Sequence, residues 1–217
     1  MKKKIILGIV VAMIAVGIGW LMLSSEEEQE ESNVDFIQEA SEETGFIGEK
    51  IVGNPSEAKV VIYEYADFGC SHCADWNRRI NDLMDKHEGE IALVFRSYDL
   101  GFKNGVAAAR AATAAQIQGY FEGYKDLLFE NQAEWFYEED DRLLAIFSGF
   151  FEQASDGSGD LEKFIEDMSS ENTKKRLQFE QSLGKKIHLV GTPTFRVEGK
   201  TIPLGDLIRV IEEKIKI

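Results

Sequence analysis

Cysteine, proline and histidine are the scarce residues of this chain, at two, three and three in 217. With no third cysteine there is no disulfide framework. Three prolines and scattered glycines argue against disorder over most of the length. Positive charge is also short: 24 Lys and Arg stand against 39 Asp and Glu, a formal net charge of -15. A surface that acidic repels phosphate backbones, so nucleic acid is excluded as a partner, and solubility is the simplest reading of the acidity. No internal repeat occurs. His87 and His188 have no ligand-like spacing to one another or to the cysteines.

What the chain does contain is concentrated at two places. The first is the N-terminus, where Lys2-Lys3-Lys4 forms a basic flank over residues 1–4. Residues 5–23 follow without a charge. At ~1.5 Å per residue a helix of that length nearly crosses the ~30 Å hydrocarbon core. The run is longer than the apolar core of a secretory signal and ends Gly19-Trp20-Leu21-Met22-Leu23, with no Ala-x-Ala. It reads as an uncleaved transmembrane anchor, with a cleaved signal as the alternative. Either reading leaves the N-terminus cytoplasmic and everything after Leu23 outside. The implied localisation is the cell membrane, single-pass, with an extracytoplasmic domain. Residues 24–44 open with Ser-Ser-Glu-Glu-Glu-Gln-Glu-Glu-Ser and read as an acidic linker, with a short helical turn expected over 34–40.

The second place is Cys70-Ser71-His72-Cys73, preceded by the β-branched and aromatic run Val60-Val61-Ile62-Tyr63-Glu64-Tyr65. That run predicts an interior strand. Trp76, Ile80, Leu83, Met84 and His87 then recur at helical spacing, and residues 91–95 predict a second strand. Strand, helix, strand of this length is a βαβ unit with a parallel pair. Residues 45–59, with three glycines and Asn54-Pro55, predict an irregular lead-in ending in a turn.

From about 103 to 187 the pattern is helical. An alanine-rich stretch covers 106–117, and apolar stripes follow at Phe121/Tyr124/Leu127/Leu128, at Leu143/Leu144/Phe147/Phe150/Phe151 and at Leu161/Phe164/Ile165/Met168. A weaker stripe is Phe179/Leu183/Ile187. Amphipathic helices in series need one another's faces, which predicts a helical subdomain inserted into an α/β frame. Residues 194–197 and 201–202 predict a hairpin around Glu198-Gly199-Lys200, and Leu204, Leu207, Ile208, Ile211 and Ile215 a C-terminal helix.

Cys-x-x-Cys after a strand and within a βαβ unit is a redox motif. It makes a poor structural staple, because it closes a very short loop. Outside the cytoplasm the pair can be oxidised. Cys70, at the helix N-terminus, is the expected attacking cysteine, and Cys73, one turn in, the resolving one. His72 can stabilise a Cys70 thiolate by charge or hydrogen bonding. The alternative is a soft-metal site using Cys70, His72 and Cys73, one ligand short of a closed zinc site.

A second motif, Val190-Gly191-Thr192-Pro193-Thr194-Phe195, lies far downstream. With Glu64-Tyr65-Ala66-Asp67-Phe68-Gly69-Cys70-Ser71-His72-Cys73 it resembles the DsbA-type (BdbD-like) thiol–disulfide oxidoreductases of the thioredoxin superfamily, in their membrane-anchored form. The resemblance covers about 45–217. It implies an α/β thioredoxin fold with a helical insertion and no cofactor or metal. It implies that Pro193 matches a cis-proline lying against the cysteine pair, the alternative being a trans proline at a strand start. Thr192 matches a position that tunes the potential. Glu64 matches a buried acid that aids proton transfer at the resolving cysteine, the alternative being an exposed or salt-bridged strand residue. Asp67 caps the helix or shapes the turn. Ser71 stands where several members have proline. The implied activity is donation of disulfides to exported proteins with free thiols, with reoxidation by a quinone-linked membrane partner. A dedicated reductase or isomerase is the nearest alternative.

Overall fold

The computed structural model describes residues 48–216, so the basic flank, anchor and linker expected over 1–44 lie outside the described residues. Among the described residues no helix is long and apolar enough to cross a membrane. A mixed sheet runs in the order β1-β3-β2-β4-β5. Its strands are β1 (Lys50–Val52), β2 (Val60–Ala66), β3 (Ile91–Ser97), β4 (Thr194–Val197) and β5 (Lys200–Ile202). Strands β2 and β3 are parallel, joined by helix α1 (Ser71–Lys86), and every other pairing is antiparallel. Every residue of β3 is buried, as expected of an interior strand covered on both faces. The expected βαβ unit and hairpin are therefore present. β1 corrects the irregular lead-in expected there. Its three residues are too few for an alternation to be legible, and its pairing with Leu93, Val94 and Phe95 defines it.

Between β3 and β4 lie six helices: α2 (Gly105–Ile117), α3 (Phe121–Glu130), α4 (Gln132–Trp135), α5 (Asp140–Ala154), α6 (Leu161–Ser169) and α7 (Glu171–Lys186). A C-terminal helix, α8 (Leu207–Ile215), buries Leu207, Ile211 and Ile215. The expected insertion is present. In α2 the residues Ala108, Ala111, Ala112, Ala114 and Ala115 are fully buried, because small side chains let neighbouring helices approach on several sides. Aromatic rings fill the rest. Phe151 stacks on Phe164 at 4.2 Å, and Phe68 lies 4.8 Å from Phe129, which joins the redox turn to α3. Within the expected stripes, Leu144 and Ile165 are exposed. They sit at the margins of faces narrower than the run of apolar letters suggests.

Helix α7 departs further from expectation. Its buried face is Thr173, Arg176, Glu180 and Leu183, while Phe179 and Ile187 are half-buried. The face is ionic because it meets other ions. The Lys50 ammonium contacts both oxygens of the Glu180 carboxylate, at 2.5 and 2.7 Å. The Arg176 guanidinium donates to Glu180 at 2.8 Å and to Glu49 at 2.5 Å, and the Ser97 N–H donates to Glu180 at 2.8 Å. This cluster ties β1, β3 and α7 together. The Glu180 carboxyl is held below its ordinary range: burial pushes it up, and the two cations beside it more than offset that.

Candidate active site

Strand β2 ends at Ala66 and a tight turn over 67–69 delivers Cys70 to the start of α1. The Asp67 carbonyl accepts from the Cys70 N–H at 3.0 Å. The Asp67 carboxylate accepts from the N–H of Gly69 (2.9 Å) and of Leu100 (2.8 Å). Asp67 thus shapes the turn, and Cys70 itself occupies the N-cap position. Burial raises the Asp67 carboxyl, opposed by those two N–H donors. Gly69 is obligatory here, since a Cβ at that position would lie 2.5 Å from Phe102 Cβ. On the other side Gln132 Nε2 donates to the carbonyls of Phe68 (2.5 Å) and Cys70 (3.1 Å), so the insertion clamps the turn from α4.

The two cysteines are free thiols in unlike surroundings. The Cys70 thiol is lowered to about 5. The largest contribution is the hydrogen bond from the Cys73 thiol, followed by Thr192 and by the main-chain N–H groups of Cys73 and His72, against a cost of burial. Cys73 is fully buried and its thiol is pushed far up, first by burial and then by its bond to Cys70. One sulfur is therefore a thiolate at neutral pH and the other a thiol. His72 is exposed, and its main-chain N–H is among the groups that lower the Cys70 thiol. The helix N-terminus and its free N–H groups do this work.

Thr192 and Pro193 close the site from across the sheet. The Thr192–Pro193 bond is cis. Cys70 Sγ lies 3.6 Å from the Thr192 carbonyl. The buried Thr192 hydroxyl has no partner among the described residues, which leaves it free to turn toward a Cys70 thiolate. Glu64, in register between Phe95 and Phe195, is fully buried, and neither carboxylate oxygen has a hydrogen-bond partner among the described residues. Burial pushes it up to about 8, with the Lys125 ammonium pulling down and the Cys70 charge pushing up. Glu64 is thus a buried strand residue and not an exposed one.

Two site residues escaped the sequence reading. One is Gln132. The other is Lys125, fully buried and held by Asn77 (2.5 Å) and Asn81 (3.3 Å) of α1 and by Asp126. Lys125 did leave a signal, since it falls on the apolar stripe of α3 between Phe121 and Leu128, where a lysine is out of place. Among the described residues no group of three or more His, Cys, Asp or Glu side chains converges as a metal ligand set.

Residues 47–211, which hold both motifs, match the family model described as Thioredoxin. The chain belongs to the thioredoxin family. A relative from Bacillus anthracis, "Probable disulfide bond formation protein D", is 25% identical over 235 residues, spanning 99% of this chain and 98% of that one. The Na(+)/H(+) antiporter NhaA of Herminiimonas arsenicoxydans is 28% identical over 151 residues, which are 70% of this chain and 22% of the antiporter. The chain thus spans about a fifth of the length of such antiporters. Among solved structures, oxidised BdbD from Bacillus subtilis superposes with a TM-score of 0.63 at 20% identity, covering 78% of this chain and 94% of that one. That likeness supports the thioredoxin fold with its helical insertion.

Proposed function

We propose that the chain is a membrane-tethered thiol–disulfide oxidoreductase that donates disulfides to exported proteins. The observation that carries this reading is the inequality of the two sulfurs: Cys70 low at about 5, Cys73 buried and high. In the oxidised enzyme a client thiolate attacks Cys70 Sγ. The Cys70–Cys73 bond breaks, and Cys73 leaves with the electron pair and takes up a proton. A second client thiolate then attacks the client sulfur, and Cys70 departs as a stabilised thiolate. The client dithiol loses two electrons, and the enzyme pair gains them. Because a stable thiolate favours the reduced enzyme, a low Cys70 pKa makes the disulfide a stronger oxidant. The Glu64 carboxyl, behind Cys73, exchanges the proton that Cys73 takes up or loses. Pro193 and Thr192 present the surface on which a client strand lies beside Cys70.

Residues 5–23 serve as the anchor and 24–44 as the tether, which puts the redox domain outside the cytoplasm. The charge-free run over 5–23 behind Lys2-Lys3-Lys4 supports this arrangement. A quinone-linked membrane protein is the proposed reoxidant.

The deciding experiment equilibrates the chain with glutathione buffers and reads the thiol-to-disulfide ratio. A potential toward about -120 mV is expected of a disulfide donor. One near the thioredoxin value of about -270 mV overturns donation and makes the protein a reductase.

A further inference from the structure

Helix α4 is a single turn of four residues, too short to hold itself by its own hydrogen bonds. Its neighbours hold it instead. Trp135 is fully buried, with its ring 5.9 Å from that of Phe147, and its indole N–H donates to the Leu128 carbonyl at 2.9 Å. The side-chain amide of Asn104, just before α2, donates to the carbonyls of Trp135, Phe136 and Glu138 at 2.9, 3.1 and 2.9 Å. These contacts fix the position of Gln132 at the start of the turn.

Gln132 carries that rigidity to the redox centre. Its Nε2 donates to the Phe68 carbonyl at 2.5 Å and to the Cys70 carbonyl at 3.1 Å. Phe68 is fully buried, and Gln132 is the donor the structure gives its carbonyl. The Cys70 carbonyl also accepts from the N–H groups of Cys73 and Ala74, at 3.1 and 3.2 Å, so the first turn of α1 and α4 meet on one oxygen. Cys70 is the N-cap of α1. A side-chain acceptor at an N-cap faces the N–H groups of the second and third helical residues. Here those are His72 and Cys73, the two main-chain groups that lower the Cys70 thiol. Where the sulfur points is therefore set by the Cys70 backbone, held on one side by Asp67 and on the other by Gln132.

We infer that Gln132 is a positioning residue for Cys70: through the Phe68 and Cys70 carbonyls it fixes the backbone that aims the attacking sulfur at the first turn of α1. The inference deepens the thiol-exchange reading above and rests on it. Two effects act in one direction. A fixed Cys70 backbone keeps the sulfur facing both N–H groups. The amide hydrogens also pair the buried Phe68 carbonyl, whose partial negative charge would otherwise stand unmatched in the turn that carries the thiolate. Loss of the amide therefore weakens the thiolate, which becomes a poorer leaving group, and the disulfide becomes a weaker oxidant. A glutamine that served only to satisfy a buried carbonyl would stabilise the reduced and oxidised forms alike.

The test compares the full chain with Gln132→Met, which keeps the side-chain length and removes both donors. Ultraviolet absorbance of the thiolate is titrated in the reduced chain, and equilibration with glutathione gives the ratio of oxidised to reduced enzyme. In Gln132→Met the Cys70 midpoint is expected to rise from about 5 toward about 6. The oxidised-to-reduced ratio at pH 7 is expected to grow by up to about tenfold. If Gln132→Met loses its native circular dichroism, Gln132→Asn takes its place. Its amide is one methylene shorter and cannot span both carbonyls, so a smaller change of the same sign is expected. An unchanged midpoint and an unchanged glutathione ratio in the folded variant overturn the inference, as does equal destabilisation of the oxidised and reduced forms in urea. Failure of the parent chain to exchange with glutathione overturns the thiol-exchange reading instead, and the titration still decides whether Gln132 acts on Cys70.

Discussion

Glu64 and Cys73 are both fully buried, and the proton balance between them sets the chemistry of the resolving step. Glu64 rises to about 8 because burial penalises its charge more than Lys125 relieves it. Its folded-state value lies above its unfolded value. Below about pH 4.5 the carboxyl is neutral in both states and adds no pH dependence, and the native state loses stability as pH rises from there to about 8. Glu64→Gln removes that loss. The reduced variant is expected to match the parent near pH 4 and to exceed it by on the order of 3 kcal/mol at pH 7, measured by urea unfolding across the pH range. In the proposed mechanism the same substitution takes away the group that exchanges the Cys73 proton. Decay of a client mixed disulfide by attack of Cys73 is expected to slow about 100-fold, followed by gel or mass spectrometry. An unchanged decay rate removes Glu64 from the mechanism. The main-chain N–H of His72 also lowers the Cys70 thiol, and that N–H is present whatever side chain stands at position 72.

Among the elements, α7 ties the insertion to the sheet through polar residues, with Glu180 accepting from Lys50 and from the Ser97 N–H. Gly184 on α7 lies under the Tyr98 ring: an added Cβ would sit 2.3 Å from the ring carbons. In an exposed helix Gly→Ala stabilises by about 1 kcal/mol, while overpacking a filled site costs about 1–3 kcal/mol. The second effect wins, so Gly184→Ala is expected to lower stability by about 1–2 kcal/mol. A rise in the melting temperature of that variant contradicts the packing described. Glu180 tests the ionic side of the same helix. Replacing a buried partner leaves the other charges uncompensated at a cost of about 3–5 kcal/mol. Glu180→Gln strands Lys50 in this way, while Arg176 keeps Glu49, and denaturant unfolding is expected to read a loss of that order. Replacing Lys50 and Glu180 together by Met and Leu is expected to recover much of it, since a buried ion pair adds little over good apolar packing.

At the scale of the whole molecule, the acidic domain and the charge-free run over 5–23 are expected to divide the labour of catalysis and placement. The full chain is expected to sediment with membranes and to resist extraction at high salt, and a chain lacking residues 5–23 to be released with its thiol exchange intact. Release of the full chain by salt alone would contradict anchoring. The insertion's part extends beyond adding bulk, because α4 clamps the redox turn through Gln132 and α3 holds Lys125 against Asn77 of α1. A thioredoxin frame without these helices would leave Glu64 without its nearest cation and Cys70 without one wall.

The parallel pair around α1, the helical insertion, the hairpin and the redox spacing of Cys70 and Cys73 were all determined by sequence. Each depends on local periodicity or on contacts near in the chain, which the order of residues records directly. The tertiary structure decided what depends on neighbours far away. It made β1 a strand through its pairing with β3, and turned the buried face of α7 ionic by setting it against Glu49 and Lys50. It also left Glu64 buried without a hydrogen-bond partner among the described residues, and brought Thr192 from across the sheet to the Cys70 sulfur. Desolvation sets a charge's cost by everything around it, and no window of sequence contains that surrounding.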